Sequence, residues 1–262
     1  MLPATDSNRS TRSKKIAFVC LFVSILLIDI GLRMTRMYFD TDISRDAILY
    51  LHQSERISES GWDDFFQTET AENIRPPLLV SLLIAGIRLG FSAKHTGMVI
   101  VMFCGILLPV IIQRIVYESS HNAELSLWCM LAASCFPYFC RFSVEILRDG
   151  IYLFLLALFV LYAIKTYKGS YFLDSLWCGF FSMLGILNRF ESVEFLFFFG
   201  TLALFCIYRH RNHRLATALR LITGYGSGII GCLLLFCLSF HFQYSYLIRI
   251  YDEKMLLLNN CF

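Results

Sequence analysis

Between Arg33 and Arg75 the chain carries nine carboxylates, Asp40, Asp42, Asp46, Glu55, Glu59, Asp63, Asp64, Glu69 and Glu72, against five arginines, Arg33, Arg36, Arg45, Arg56 and Arg75. A positioned carboxylate can take a proton from a hydroxyl, and a guanidinium can hold two phosphate oxygens at once. The stretch therefore has the side chains for acid–base work on a phosphorylated substrate. Two later groups add to it: Glu145, Arg148 and Asp149, then Arg189 and Glu191.

Composition says what must hold these groups. Of 262 residues 57% are hydrophobic and 16% charged, 25 are Phe, and the mean hydropathy is +0.61. So few polar side chains cannot coat a water-soluble globule of this length, and the chain reads as an all-α integral membrane protein. The net charge of +3 shows no basic face of the kind that binds nucleic acid. Nine of the ten cysteines (Cys20, Cys104, Cys129, Cys135, Cys140, Cys178, Cys206, Cys232, Cys237) lie in or beside apolar runs without paired CxxC spacing, as packing residues do. His52, His95, His210 and His213 are scattered, none at ligand spacing with a carboxylate, so no metal is assigned and no cofactor is implied.

The first apolar run, 16–32, follows Arg9, Arg12, Lys14 and Lys15 and lacks a small-residue cleavage site, so it reads as a retained span behind a cytoplasmic tail of residues 1–15. Further apolar runs cover 78–90, 96–116, 125–140, 151–163, 173–187, 193–208 and 219–240. The run at 78–90 is short: about 13 residues rise roughly 20 Å, against a hydrocarbon core of about 30 Å. Charge decides its fate. If it does not cross, Lys165, Lys168 and the cluster at 209–214 fall on the side of the basic N-terminus, as the positive-inside rule requires. The sequence thus predicts about seven transmembrane helices within 16–240, an extracytoplasmic loop at 33–95 with interfacial helices, and a short tail at 241–262. Pro76-Pro77 would start the interfacial helix, since proline suits a first helical turn. A multi-pass protein of the plasma or inner membrane is expected.

On this topology the loops at 33–95, 141–150 and 188–192 open on one face, where Asp46, Arg75, Glu145, Arg148, Asp149, Arg189 and Glu191 can meet. Charges of both signs near a bilayer suit an anionic-lipid or sugar-phosphate site, and they equally suit a wet rim of snorkelling arginines. Other bland readings stand beside the functional ones. Asp46 can serve the first turn of a helix beginning near Ser44. Arg148 and Asp149 can form a simple salt bridge. Trp62, Phe65 and Phe66 can stack on a sugar or anchor an interface. Gly224, Gly226, Gly228 and Gly231 allow close helix approach and serve packing.

Four motifs, in order, resemble those of polyprenyl-phosphate-sugar-dependent glycosyltransferases of the GT-C superfamily: Arg45-Asp46-Ala47-Ile48-Leu49-Tyr50, Arg75-Pro76-Pro77-Leu78, Val144-Glu145-Ile146-Leu147-Arg148-Asp149-Gly150 and Leu187-Asn188-Arg189-Phe190-Glu191. The chain is most similar to the branch of dolichyl- or polyprenyl-phosphate-mannose-protein mannosyltransferases and aminoarabinose transferases. That resemblance implies transfer of a sugar from a polyprenyl-phosphate donor to a lipid, glycan or protein acceptor, with inversion. It implies Asp46 as general base, Arg75 and Arg189 toward the lipid phosphate, and Asp149, with Glu145 beside it, orienting the acceptor. Asp40 and Asp42 are alternative acids. Ala47 stands where the family has a second acid, which argues against metal assistance. Relatives of this branch usually continue beyond the point where the 241–262 tail ends, so a truncated or minimal enzyme is expected. The rival reading is a non-catalytic polytopic protein: a lipid carrier, a flippase-like subunit or a degenerate transferase fragment.

Overall fold

The computed structural model describes residues 6–39, 44–68, 75–169, 171–209 and 214–240, with side chains from Lys15 onward except at 63–68. Within these residues the chain is helical and without strands, and five helices are long and apolar enough to cross a membrane: Lys15–Phe39, Ala93–Ser120, Arg148–Lys168, Phe190–Arg209 and Arg214–Phe240. The protein is an all-α polytopic membrane protein.

Helix α1 (Asp6–Phe39) runs past both ends of its predicted span. Arg33, expected to open the first loop, instead sits inside this helix, wholly buried, with Nη1 donating to the Asp29 carboxylate one turn earlier. Ser134 and Cys140, from the neighbouring segments, surround the pair. A charge at this depth needs a partner, and the i,i+4 spacing supplies one.

Helix α2 (Arg45–Thr68) is amphipathic: Ala47, Tyr50, Ser54 and Ile57 are buried, while Arg45, Asp46, Ile48, Glu55 and Glu59 face out. It kinks at Gly61, whose φ of 88° suits a residue without Cβ. Helix α3 (Pro77–Arg88) has Pro at its first position, as expected, and its 12 residues are too short to span. Leu79, Val80, Leu83 and Ile84 are buried among α2, α4 (Ala93–Ser120) and α8 (Tyr171–Asn188), so the short helix is part of the core.

The predicted span at 125–140 is also redrawn. Proline disfavours a helical conformation in the residue before it, and here the chain breaks at Phe136, leaving α5 (Ala123–Cys135) and the short α6 (Pro137–Phe142). Helices α7 (Arg148–Lys168), α9 (Glu194–Arg209, entered by a 3-10 turn at Phe190–Val193) and α10 (Arg214–Phe240) complete the bundle around α8.

Helix α8 meets α10 backbone to backbone. A Cβ on Gly179 would lie 2.0 Å from the Tyr225 carbonyl oxygen, and one on Gly228 2.0 Å from that of Leu176. Phe199 stacks on Tyr225 at 3.8 Å, and the Tyr225 hydroxyl donates to Ser182 at 2.8 Å. Two contacts set the directions of the helices. Lys168, ending α7, reaches Glu118 near the end of α4, so these helices run parallel. Asp149, starting α7, meets Arg189 just past α8, so that pair runs antiparallel. One end of the bundle thus carries Lys165, Lys168, Arg209 and Arg214, and the other carries charges of both signs.

Candidate functional site

Ser44 caps α2, its hydroxyl accepting from the Ala47 amide at 3.2 Å. Asp46 is thereby released from the capping role and extends outward from the first turn. Its Oδ1 accepts from Arg75 Nη2 at 3.3 Å, so the expected base and the expected phosphate ligand, 29 residues apart in sequence, are in contact. Arg75 enters α3 with its amide donating to Gln53 Oε1 at 3.3 Å, and its guanidinium lies 6.0 Å from the Tyr50 ring centre. Its Nε is buried without a hydrogen-bond partner among the described residues.

Tyr50 links this pair to the next. Burial pushes its hydroxyl up to about 12; Arg148 and Arg75 pull it down, while Asp46 and Asp149 push it further up. Four charges from three chain segments therefore act on one buried phenol, which stays protonated and can donate a hydrogen bond. Asp149 Oδ1 accepts from Arg189 Nη1 at 2.9 Å, Arg189 Nε donates to Glu191 at 3.3 Å, and Arg148 approaches Glu191 only to 3.9 Å. Asn188 fixes the start of α7 by donating to the Arg148 carbonyl at 2.9 Å. Asp46, Arg75, Arg148 and Asp149 thus act on Tyr50, and Arg189 and Glu191, joined to Asp149 and Arg148, extend the cluster to three carboxylates and three guanidinium groups.

Not every expected residue joins it. Glu145 accepts from Arg141 at 2.7 Å and makes none of the cluster's contacts. Trp62 is buried in the core cluster that also holds Tyr50, Ile57 and Leu78. His95 bonds Ser92 in the cap of α4. Asp40, Asp42, Asp63, Asp64, Phe65 and Phe66 lie outside the residues whose side chains are described, as do 210–213. Among the described residues no group of three His, Cys, Asp or Glu stands at metal-binding distance. The sequence reading gave no binding role to Arg148 or Tyr50, and it missed Tyr152 and Glu194. Tyr152 donates to Glu194 and lies 5.3 Å under the Arg189 guanidinium. For Arg148 the signal is present in part, since it adjoins Asp149 inside the third motif.

An apolar groove of about 420 Å³ lies between α7 and α9, lined by Leu156, Phe159, Val160, Ala163, Ile164, Tyr167, Phe198 and Leu202. It runs from Leu156 and Phe198, one turn from Tyr152 and Glu194, toward Tyr167 beside Lys168 at the basic end, and none of the cluster residues lines it.

No family model, curated protein or solved structure matches this chain. Its function has to be argued from the cluster and the groove.

Proposed function

We propose that the protein is a membrane glycosyltransferase of the GT-C type, which moves a sugar from a polyprenyl-phosphate donor to an acceptor at the mixed-charge end of the bundle. Seven crossings are part of the proposal: α1, α4, the α5–α6 pair, α7, α8, α9 and α10, with the basic end in the cytoplasm of a cell whose plasma or inner membrane holds the protein. The observation that carries the reading is the Asp46–Arg75 contact beside Tyr50.

The chemistry follows from the charges. The isoprenoid tail lies in the groove and brings the donor phosphate to the cluster. Arg75 and Arg148 take phosphate oxygens, which draws Arg75 from Asp46 and frees the carboxylate. Asp46 then accepts the proton of the acceptor hydroxyl or amine as its oxygen or nitrogen attacks the anomeric carbon. The bond from that carbon to the phosphate oxygen breaks with its electron pair leaving on polyprenyl phosphate, and one displacement inverts the centre. Asp149 and Glu191 hold Arg189 as a rigid wall beside the acceptor.

One observation favours the non-catalytic reading: Ala47, at the position of the family's second acid, is buried and turned into the core. An assay decides between them. Purified protein is incubated with radiolabelled polyprenyl-phosphate sugars, and transfer is expected, with Asp46→Asn reducing turnover about 10²-fold or more while the protein stays folded. Asn is nearly isosteric, and Ser44 supplies the cap, so folding is not at stake. Asp42→Asn should be tolerated. Donor retention without transfer by the wild type would establish the carrier reading; near-normal transfer by Asp46→Asn would remove Asp46 from the mechanism.

A further inference from the structure

We propose that a groove between α1, α4 and α5, at the end of the bundle opposite the polar cluster, holds one anionic phospholipid of the cytoplasmic leaflet. Its volume is about 390 Å³ and its walls are Phe18 and Phe22 of α1, Gln113, Arg114 and Tyr117 of α4, and Ala123 of α5. These side chains divide by chemistry. Two phenyl rings come from α1, and an amide, a guanidinium and a phenol come from α4, the two chemistries that an acyl chain and its headgroup require.

Depth and charge agree with that occupant. Phe18 lies one turn into the apolar stretch from the exposed Lys15, Gln113 to Tyr117 belong to the last two turns of α4, and Ala123 begins α5. The polar part therefore stands at the membrane boundary, at the level of headgroups. Glu118 is a single carboxylate between two cations: Arg114 Nη2 at 2.8 Å and Lys168 Nζ at 3.4 Å. Glu124, exposed beside Ala123, is offset by the exposed Lys15, so the rim keeps a surplus positive charge, with the Arg114 side chain 52% exposed and its guanidinium 5.6 Å from the Tyr117 ring centre. Gln113 is held in the wall by donating to Ser126 at 3.0 Å. The groove between α7 and α9, by contrast, is lined by apolar side chains apart from Tyr167, and that between α3 and α4 by apolar side chains apart from His95 and Thr96, so neither has an arginine or an amide in its wall. Basic pockets between transmembrane helices on the cytoplasmic side are where anionic lipids bind.

The inference needs the cytoplasmic placement of the basic end and not the transferase reading. The full chain, purified in detergent, is mixed with equal amounts of phosphatidylglycerol and phosphatidylcholine, and the retained lipid is read by native mass spectrometry. The wild type should retain phosphatidylglycerol in about fivefold excess, the ratio equivalent to about 1 kcal/mol for one arginine at an anionic surface. Arg114→Gln should bring the ratio near parity and Arg114→Lys should keep most of it. Ala123→Leu, which narrows the groove and leaves the charges alone, should lower retention of phosphatidylglycerol. Parity in the wild type would overturn the proposal. So would an unchanged ratio in Arg114→Gln, displacement of the lipid by inorganic phosphate, or, if Arg114→Gln does not fold, undiminished retention in Ala123→Leu.

Discussion

Among single residues, the number of carboxylates touching each arginine separates those available to a ligand from those already engaged. Arg189 meets Asp149 and Glu191, both within hydrogen-bond reach. Arg75 meets only Asp46 and keeps a buried Nε unpaired among the described residues, and Arg148 has Glu191 at 3.9 Å. The resemblance implies Arg189 toward the phosphate, and sequence carries no distances; on these contacts we propose Arg148 for that role. Arg148→Gln and Arg75→Gln should each weaken donor binding by about 1.5–3 kcal/mol, the worth of a charge-assisted contact, as read by titration of donor into purified protein. Arg189→Gln should mainly lower the melting temperature, since it strips two carboxylates of their partner. Lost donor affinity with unchanged melting in that variant would return the phosphate to Arg189. Tyr50 makes a pH prediction of its own. Its folded-state value of about 12 lies above the ordinary 10, so its contribution to stability is constant below pH 10 and is lost as pH rises through 12. Tyr50→Phe should flatten that alkaline loss in a melting series, and an unchanged slope would assign it to another group.

At the level of helices, what was legible depended on whether a residue's meaning is local. Apolar runs, Pro at the start of α3 and the cap at Ser44 act within a turn or two, and each can be read from the chain. The Asp29–Arg33 pair was also readable, being an i,i+4 pair on one helix, yet the end of hydrophobicity drew the boundary too early. The Pro137 break was in plain view within the 125–140 run. The burial of α3 was not, because a 12-residue apolar helix has the same sequence whether it meets lipid or protein. The glycines of α10 show the same limit: spacing implies close packing but not which of them faces the partner. A Cβ on Gly228 would meet the Leu176 carbonyl at 2.0 Å, whereas one on Gly226 meets nothing within 4 Å. Gly228→Ala should therefore cost about 1–3 kcal/mol by overpacking, while Gly226→Ala should be neutral or mildly stabilising. Melting of the two variants in detergent checks this, and equal effects would mean that the α8–α10 contact is looser than the backbone distances require.

For the molecule as a whole, every functional statement depends on which end faces which side of the membrane. The loops at 33–95, 141–150 and 188–192 share a site only if α3 does not cross. Its 12 residues and its enclosure by α2, α4 and α8 fit that condition. The parallel run of α4 and α7, fixed by Lys168 on Glu118, adds a constraint that hydropathy cannot supply: whatever lies beyond the end of α4 is on the side of Lys165 and Lys168. Helix α8 then returns to the mixed-charge end at Asn188, and α9 goes back to the basic end at Arg209. The link between α9 and α10 must accordingly share a side with the N-terminal tail. A cysteine introduced at Asn212, in a background whose native cysteines are replaced, should resist an impermeant maleimide added to intact cells and react once they are opened. Labelling from outside would invert the bundle, place the lipid groove in the outer leaflet and put Asp46 on the cytoplasmic face, where its donor would have to be made and consumed on one side of the membrane.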